Sequence, residues 1–193
     1  MSNEKAKSSD LVGGTVAKSS GSENKLKAGG VFTVTCVDKD GNVRWESKSH
    51  NLVVNVGLAD MNTQYFKGSG YTAAWYIGVY GPASSNNPSS ADTMASHAGW
   101  TEVTAYSNAT RPAATFGAAT TADPSVIANS ASPAQFLIND SANVGGAFLT
   151  SGDAKGGTSG VLFSASDFQA PGDRVVQNGD TLNVTYTFSL DAA

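Results

Sequence analysis

Apolar and polar residues alternate along this chain in short runs, and the runs predict strands. Phe32, Val34 and Cys36 alternate with Thr33 and Thr35, the period of a half-buried strand. Asp38 to Asn42 is turn composition, and Val43 and Trp45 then alternate with Arg44 and Glu46. The two runs predict a hairpin. Asn55 reads as the N-cap of a short helix carrying Leu58, Met61 and Tyr65 on one face and ended by Gly68 and Gly70. From Ala73 to Tyr80 both faces are apolar, so this strand should be central or covered.

Downstream the signals are shorter. A helical turn is expected near Asp92 to Ser96, and short strands over Trp100 to Tyr106, Arg111 to Phe116, Ala134 to Ile138, Val144 to Thr150 and Val161 to Ser164. Ser151 to Gly160 reads as a glycine-dense surface turn. The last strand is the clearest. Leu182, Val184, Tyr186, Phe188 and Leu190 alternate without a break with Thr and other polar residues. Trp75, Ile77, Val79, Leu182, Val184, Tyr186 and Phe188 are therefore the expected core. Short strands with apolar faces predict an all-β fold, an antiparallel β-sandwich or jelly-roll-like body, over residues 31–193.

Residues 1–30 differ. They hold few large apolar side chains, namely Leu11, Val12, Val16 and Leu26 beside Met1, and are rich in Ser, Lys and Gly. Such a segment cannot offset its ordering entropy alone, so it is expected to be an extended arm that orders on a partner. Its lysines, Lys5, Lys7, Lys18, Lys25 and Lys27, are the candidate partner contacts.

Charge sharpens this division. The net charge of −4 splits into +2 on residues 1–30 and −6 on the remainder. An acidic body argues against nucleic acid, which needs a basic footprint, and +2 is too weak for a nucleic-acid arm. No run approaches the ~20 apolar residues of a membrane span. Met1 to Lys7 is not followed by the apolar run of a secretory leader, which predicts synthesis in a cytoplasm. Cys36 is the single cysteine and falls on an apolar strand face, so a buried thiol is expected.

Candidate chemistry is thin. Asp38, Asp40 and Asn42 have calcium-loop spacing, but the glycine comes at the fourth place and Ser49 stands at the twelfth, so a hairpin turn fits better. Gly152 to Thr158 has a phosphate-loop flavour, yet its lysine precedes the glycine pair. His50 and His97 are the only histidines, and a packing or loop role suits them better than zinc. No Gly-x-Ser-x-Gly elbow occurs. The residues thus point to no enzyme, no cofactor and no metal. Tyr65, Phe66, Tyr71, Trp75, Tyr76, Tyr80, Trp100 and Tyr106 form the one group with two readings. They are either core and subunit interface or a stacking platform for sugar.

Several runs carry a resemblance: YFKGSGYTAAWYIGVYGP, DKDGNVRWESKSHNLVVNVGL, ASHAGWTEVTAYSNATRP, GGAFLTSGDAKGGTSGVLFSASDF and NGDTLNVTYTFSL. Together they resemble a family of tailed-bacteriophage virion structural proteins, closest to the capsid decoration, or cement, type. The likeness spans roughly Gly30 to Leu190. It implies a protein on the capsid surface of the virion, made in the host cytoplasm. It further implies the major capsid protein as partner and a homo-oligomer, dimer or trimer, and it brings no catalytic residues. A tail- or fibre-associated receptor- or carbohydrate-binding protein is the alternative.

Overall fold

The computed structural model describes residues 26–67, 74–82 and 88–192. Within these the chain is all-β, with antiparallel sheets packed into a sandwich and one short helix. The first sheet is built on β1 (Leu26–Val37) and β11 (Thr181–Ala192), which pair along twelve residues from Leu26↔Ala192 to Val37↔Thr181. β2 (Val43–His50) completes the expected hairpin on the free side of β1. On the free side of β11 two short strands lie end to end, β6 (Ala134–Leu137) on 181–184 and β5 (Ser125–Ala128) on 187–190.

The gap between β5 and β6 is closed by a side chain. Asn129 is fully buried; its Oδ1 accepts from Tyr186 N–H at 2.6 Å and its Nδ2 donates to Val184 C=O at 3.2 Å. The amide thus replaces the strand bonds that neither β5 nor β6 reaches to make.

The second sheet runs β3 (Leu52–Val53), β9 (Leu162–Asp167), β8 (Gly146–Thr150), β4 (Tyr76–Tyr80). Its inner face sets Ile77, Val79 and Leu149 against Phe32, Val34, Leu182 and Val184 of the first sheet. Its outer face is also covered. Tyr80, Phe148 and Leu162 pack beneath Met94 and Trp100 of the 88–100 segment. This is the physical sense of a strand apolar on both faces. Across the β4–β8 ladder the ring of Phe148 lies over Gly78 and the ring of Tyr80 over Gly146, leaving no room for a Cβ at either glycine. A small ribbon of β7 (Ala142–Val144) with β10 (Arg174–Val176) completes the described strands.

Several expectations change. β1 begins at Leu26 rather than near residue 31, because its early residues complete the ladder with 188–192. Trp100–Tyr106 and Arg111–Phe116 are not strands. Each meets the open edge of β4 through a few bonds, Val103 N–H to Val79 C=O at 2.8 Å and Ile77 N–H to Pro112 C=O at 2.9 Å. Pro112 has no N–H with which to extend a ladder. The expected helical turn near Asp92 to Ser96 is a tight turn with Thr93 and Ser96 bridged. Strands β3, β5, β7 and β10 were not anticipated.

The helix α1 (Asn55–Asn62) exists, but Asn55 does not cap it with its side chain. Val54 occupies the cap, and the Asn55 N–H donates to Ser90 C=O at 2.8 Å. The helix continues into a π-helical turn, Thr63–Lys67, on which Tyr65 is exposed. Gly68, Gly70, Tyr71 and Ala73 lie outside the described residues. Of the seven expected core residues, Ile77, Val79, Leu182, Val184 and Tyr186 are buried, whereas Trp75 and Phe188 are only half-buried.

Asn129→Ala should cost about 1–3 kcal/mol, since two buried backbone groups lose their partner. Urea unfolding measures it, and a loss below about 0.5 kcal/mol, the scale of a neutral surface change, would mean the amide closes no gap.

Candidate functional site

Trp75 and Phe188 are half-buried because they line a cavity at one end of the sandwich. Its volume is about 900 Å³, within the ~300–1,000 Å³ of ligand pockets. The walls come from both sheets and the helix: Met61, Trp75, Phe116, Ile127, Phe163 and Phe188. Phe163 arrives there through a bulge. β8 and β9 shift register between Leu149 and Thr150, so Phe163 faces no partner residue in the ladder. The extra residue turns its ring inward, where it meets Trp75 and Phe188 edge-on at 5.4 Å each. Tyr186 forms part of the floor, its hydroxyl accepting from Asn51 Nδ2 at 2.8 Å and Ser164 Oγ at 3.2 Å. Burial pushes the Tyr186 phenol well above its ordinary range, so it stays protonated.

Tyr65 and Phe66 stand at the cavity lip, 84% and 77% exposed, their rings edge to face at 4.9 Å. Leu26 and Leu190 also line it, so the start of β1 and the end of β11 meet there. Among the described residues Asp60 is the one charged lining residue, and Gln64 Nε2 donates to its Oδ1 at 3.2 Å. A cavity this apolar offers little to orient or polarise a reacting group. What it can do is hold an apolar side chain or ring.

The aromatic group read from the sequence divides. Tyr65, Phe66 and Trp75 gather at this cavity, whereas Tyr80, Trp100 and Tyr106 are buried elsewhere. Trp100 donates from Nε1 to Asp92 Oδ2 at 3.0 Å and stacks on His97 at 3.8 Å, so His97 has a packing role. Sequence reasoning did not connect Phe116, Ile127 and Phe163 to the site. The β11 alternation pointed to Phe188, but no sequence signal marks the bulge.

The remaining candidates are structural. Asp38 Oδ1 accepts from the backbone N–H of Asp40 and of Asn42, both at 2.9 Å. Those bonds, Asn42's foremost, hold the Asp38 carboxyl below its ordinary range, as in a hairpin turn that caps itself. The 151–160 loop is wrapped around a buried cation. Arg111, 1% exposed, donates to Gly152 C=O at 2.8 Å and Gly157 C=O at 2.7 Å. Its other donors reach both oxygens of Glu102 at 2.9 and 2.7 Å, and Glu102 also accepts from Gly156 N–H at 2.9 Å. Carbonyls therefore point into this loop, the reverse of a phosphate cradle. Lys155 is likewise engaged, donating to the backbone of Tyr106 and Asn108 at 2.7 and 2.9 Å. Cys36 is buried, and burial with the nearby Asp180 carboxylate pushes its thiol up to about 12, an inert group.

Among the described residues no three His, Cys, Asp or Glu side chains are placed to share a metal, and no helix is long and apolar enough to cross a membrane. Of the candidate partner contacts, Lys5, Lys7, Lys18 and Lys25 lie outside the described residues. Lys27 is exposed in β1, opposite Asp191 in the ladder, so it belongs to the body and not to an arm. Comparison with protein-family models, with curated proteins and with solved structures found no match.

Asp167 gives a pH test of the electrostatics. Burial, with Asp173 adding to it, pushes its carboxyl up, and Oδ1 finds no hydrogen-bond partner. The fold disfavours the ionised form, so Asp167 costs stability above its raised pKa. The cost fades as pH falls through the raised pKa and is gone below the ordinary 3.8, where folded and unfolded chains are both protonated. Asp167→Asn should raise the melting temperature in neutral buffer, and thermal melts should show that gain shrinking on acidification. A gain that grows in acid would reverse the assignment.

Proposed function

We propose that this chain is a bacteriophage virion structural protein that decorates the outer surface of the capsid and stabilises it. The reading rests on the resemblance of its sequence runs, and one structural observation favours it. Residue 26 enters the body at the end of the longest ladder, at the rim of the sandwich, so residues 1–25 attach at one fixed point of a body that has its own core. A rigid body with a separate polar segment at its rim suits a protein that spans neighbouring shell subunits while the segment contacts the major capsid protein.

The revised boundary alters the electrostatics. With Lys27 in the ladder, residues 1–25 hold four lysines against three acidic residues, so attraction to a partner is local and not a long-range pull. The carbohydrate alternative is less favoured. Its exposed rings stand at 82° to each other instead of forming a flat platform, and the cavity beside them has few polar groups.

Removing residues 1–24 should leave melting unchanged and weaken co-sedimentation with capsids that lack this protein. Removing residues 1–28 should also lower the melting temperature, because it deletes the pairs of Leu26, Lys27 and Ala28 with Ala192, Asp191 and Leu190. Equal capsid binding by the full chain and the shorter deletion would reject the tether.

A further inference from the structure

We infer that the Tyr65–Phe66 pair and the cavity beside it form a self-association surface, in which each copy's rings fill its partner's cavity across a two-fold axis. A projecting pair of rings and an apolar hollow lie on one patch of one molecule. A two-fold interface needs that arrangement, because the same patch must supply both the knob and the hole. Head-to-tail rings instead need two separate complementary patches, whereas here the rings and the hollow lie together.

The chemistry of the patch fits this occupant. Two aromatic rings this exposed cost free energy in water, and the hollow beside them is walled chiefly by other rings and aliphatic chains. Edge-to-face contact, already made by Phe163 with Trp75 and Phe188, is open to an incoming ring. Among the described residues Asp60 is the only charge on the lining, and it stays hydrogen-bonded to Gln64 Nε2 at 3.2 Å.

The rings supply about half of the area a stable interface needs. Aromatic side chains bury ~150–250 Å² each, so four rings, two per copy, supply roughly 600–1,000 Å². Leu26, Met61 and Leu190 around the rim extend this toward the ~1,200–2,000 Å² of a stable interface. The segment 1–25 is the competing occupant, since it joins the body at the same rim, but its large apolar residues are only Met1, Leu11, Val12 and Val16, with no ring among them. The two-fold arrangement also brings both copies' Leu26 to one region. The self-association does not depend on the capsid reading, because it follows from the shape and chemistry of the patch alone.

Sedimentation equilibrium of the full chain at micromolar concentration tests it. The unaltered chain should be a dimer. Tyr65→Ser with Phe66→Ser removes the knob, and Leu190→Arg puts a charge on the rim. Each should raise the dimer dissociation constant roughly thirtyfold or more, the scale of an interface hot spot. Both changes lie at exposed or half-buried positions, and circular dichroism should show the fold retained. A monomeric or trimeric full chain overturns the inference, as do variants that dimerise like the parent. A full chain that becomes dimeric only when residues 1–24 are removed overturns it too, by showing that the cavity holds the chain's own N-terminal segment.

Discussion

The twelve-residue pairing of β1 with β11 is the constraint from which the rest of the body follows. It joins the two most distant parts of the described chain, so the fold closes only when the last strand is in place. Both strands are interior to their sheet, with β2 on one side and β5 and β6 on the other. Their inward residues, Phe32, Val34 and Cys36 from β1 and Leu182, Val184 and Tyr186 from β11, are all fully buried and form one wall of the core. The register matters because a slip of one residue would turn that wall to solvent. Asn129 holds the same register from the other edge, by supplying bonds that match Val184 and Tyr186 and no other pair.

The second sheet meets that wall and is then covered in turn. Segments 101–103 and 112–114 bind the open edge of β4, which removes a strand edge that could pair with other chains. Arg111 ties this cover to the glycine-rich loop. Its charge is matched by Glu102 and its remaining donors by two carbonyls, so a buried cation is retained with little unsatisfied polarity. Among the described residues, the helix and its π-helical turn leave a hollow between the sheets, and the bulge at Phe163 fills only part of it.

How much of this was legible depended on how local the cause is. The β1–β2 hairpin and β11 were legible because alternation and turn composition are local properties of contiguous residues. The two-sided burial of β4 was legible for the same reason. Asn129 and Arg111 were not, because each is defined by partners 55–57 and 9–46 residues away. Trp100–Tyr106 has apolar residues enough for a strand, yet it meets the edge of β4 only around Val79 to Gly81. The cavity divides in the same way. Its rings were visible as a group, but which are core and which are exposed depends on a bulge and a π-helical turn that leave no mark in composition.

The same ladder sets the functional reading, because it fixes where the N-terminal segment joins the body. If β1 runs from Leu26, that segment is rooted at the cavity rim beside Tyr65 and Phe66. If β1 began near residue 31, residues 26–30 would lie outside the ladder and the root would be elsewhere. Hydrogen–deuterium exchange of the full chain, resolved by peptide mass spectrometry, separates the two directly. The account predicts protection beginning at Leu26 and slowest exchange in 32–36 and 182–186, near the rate of global unfolding. Exchange of residues 26–30 as fast as that of an unstructured peptide, with protection starting only at Val31, would contradict it.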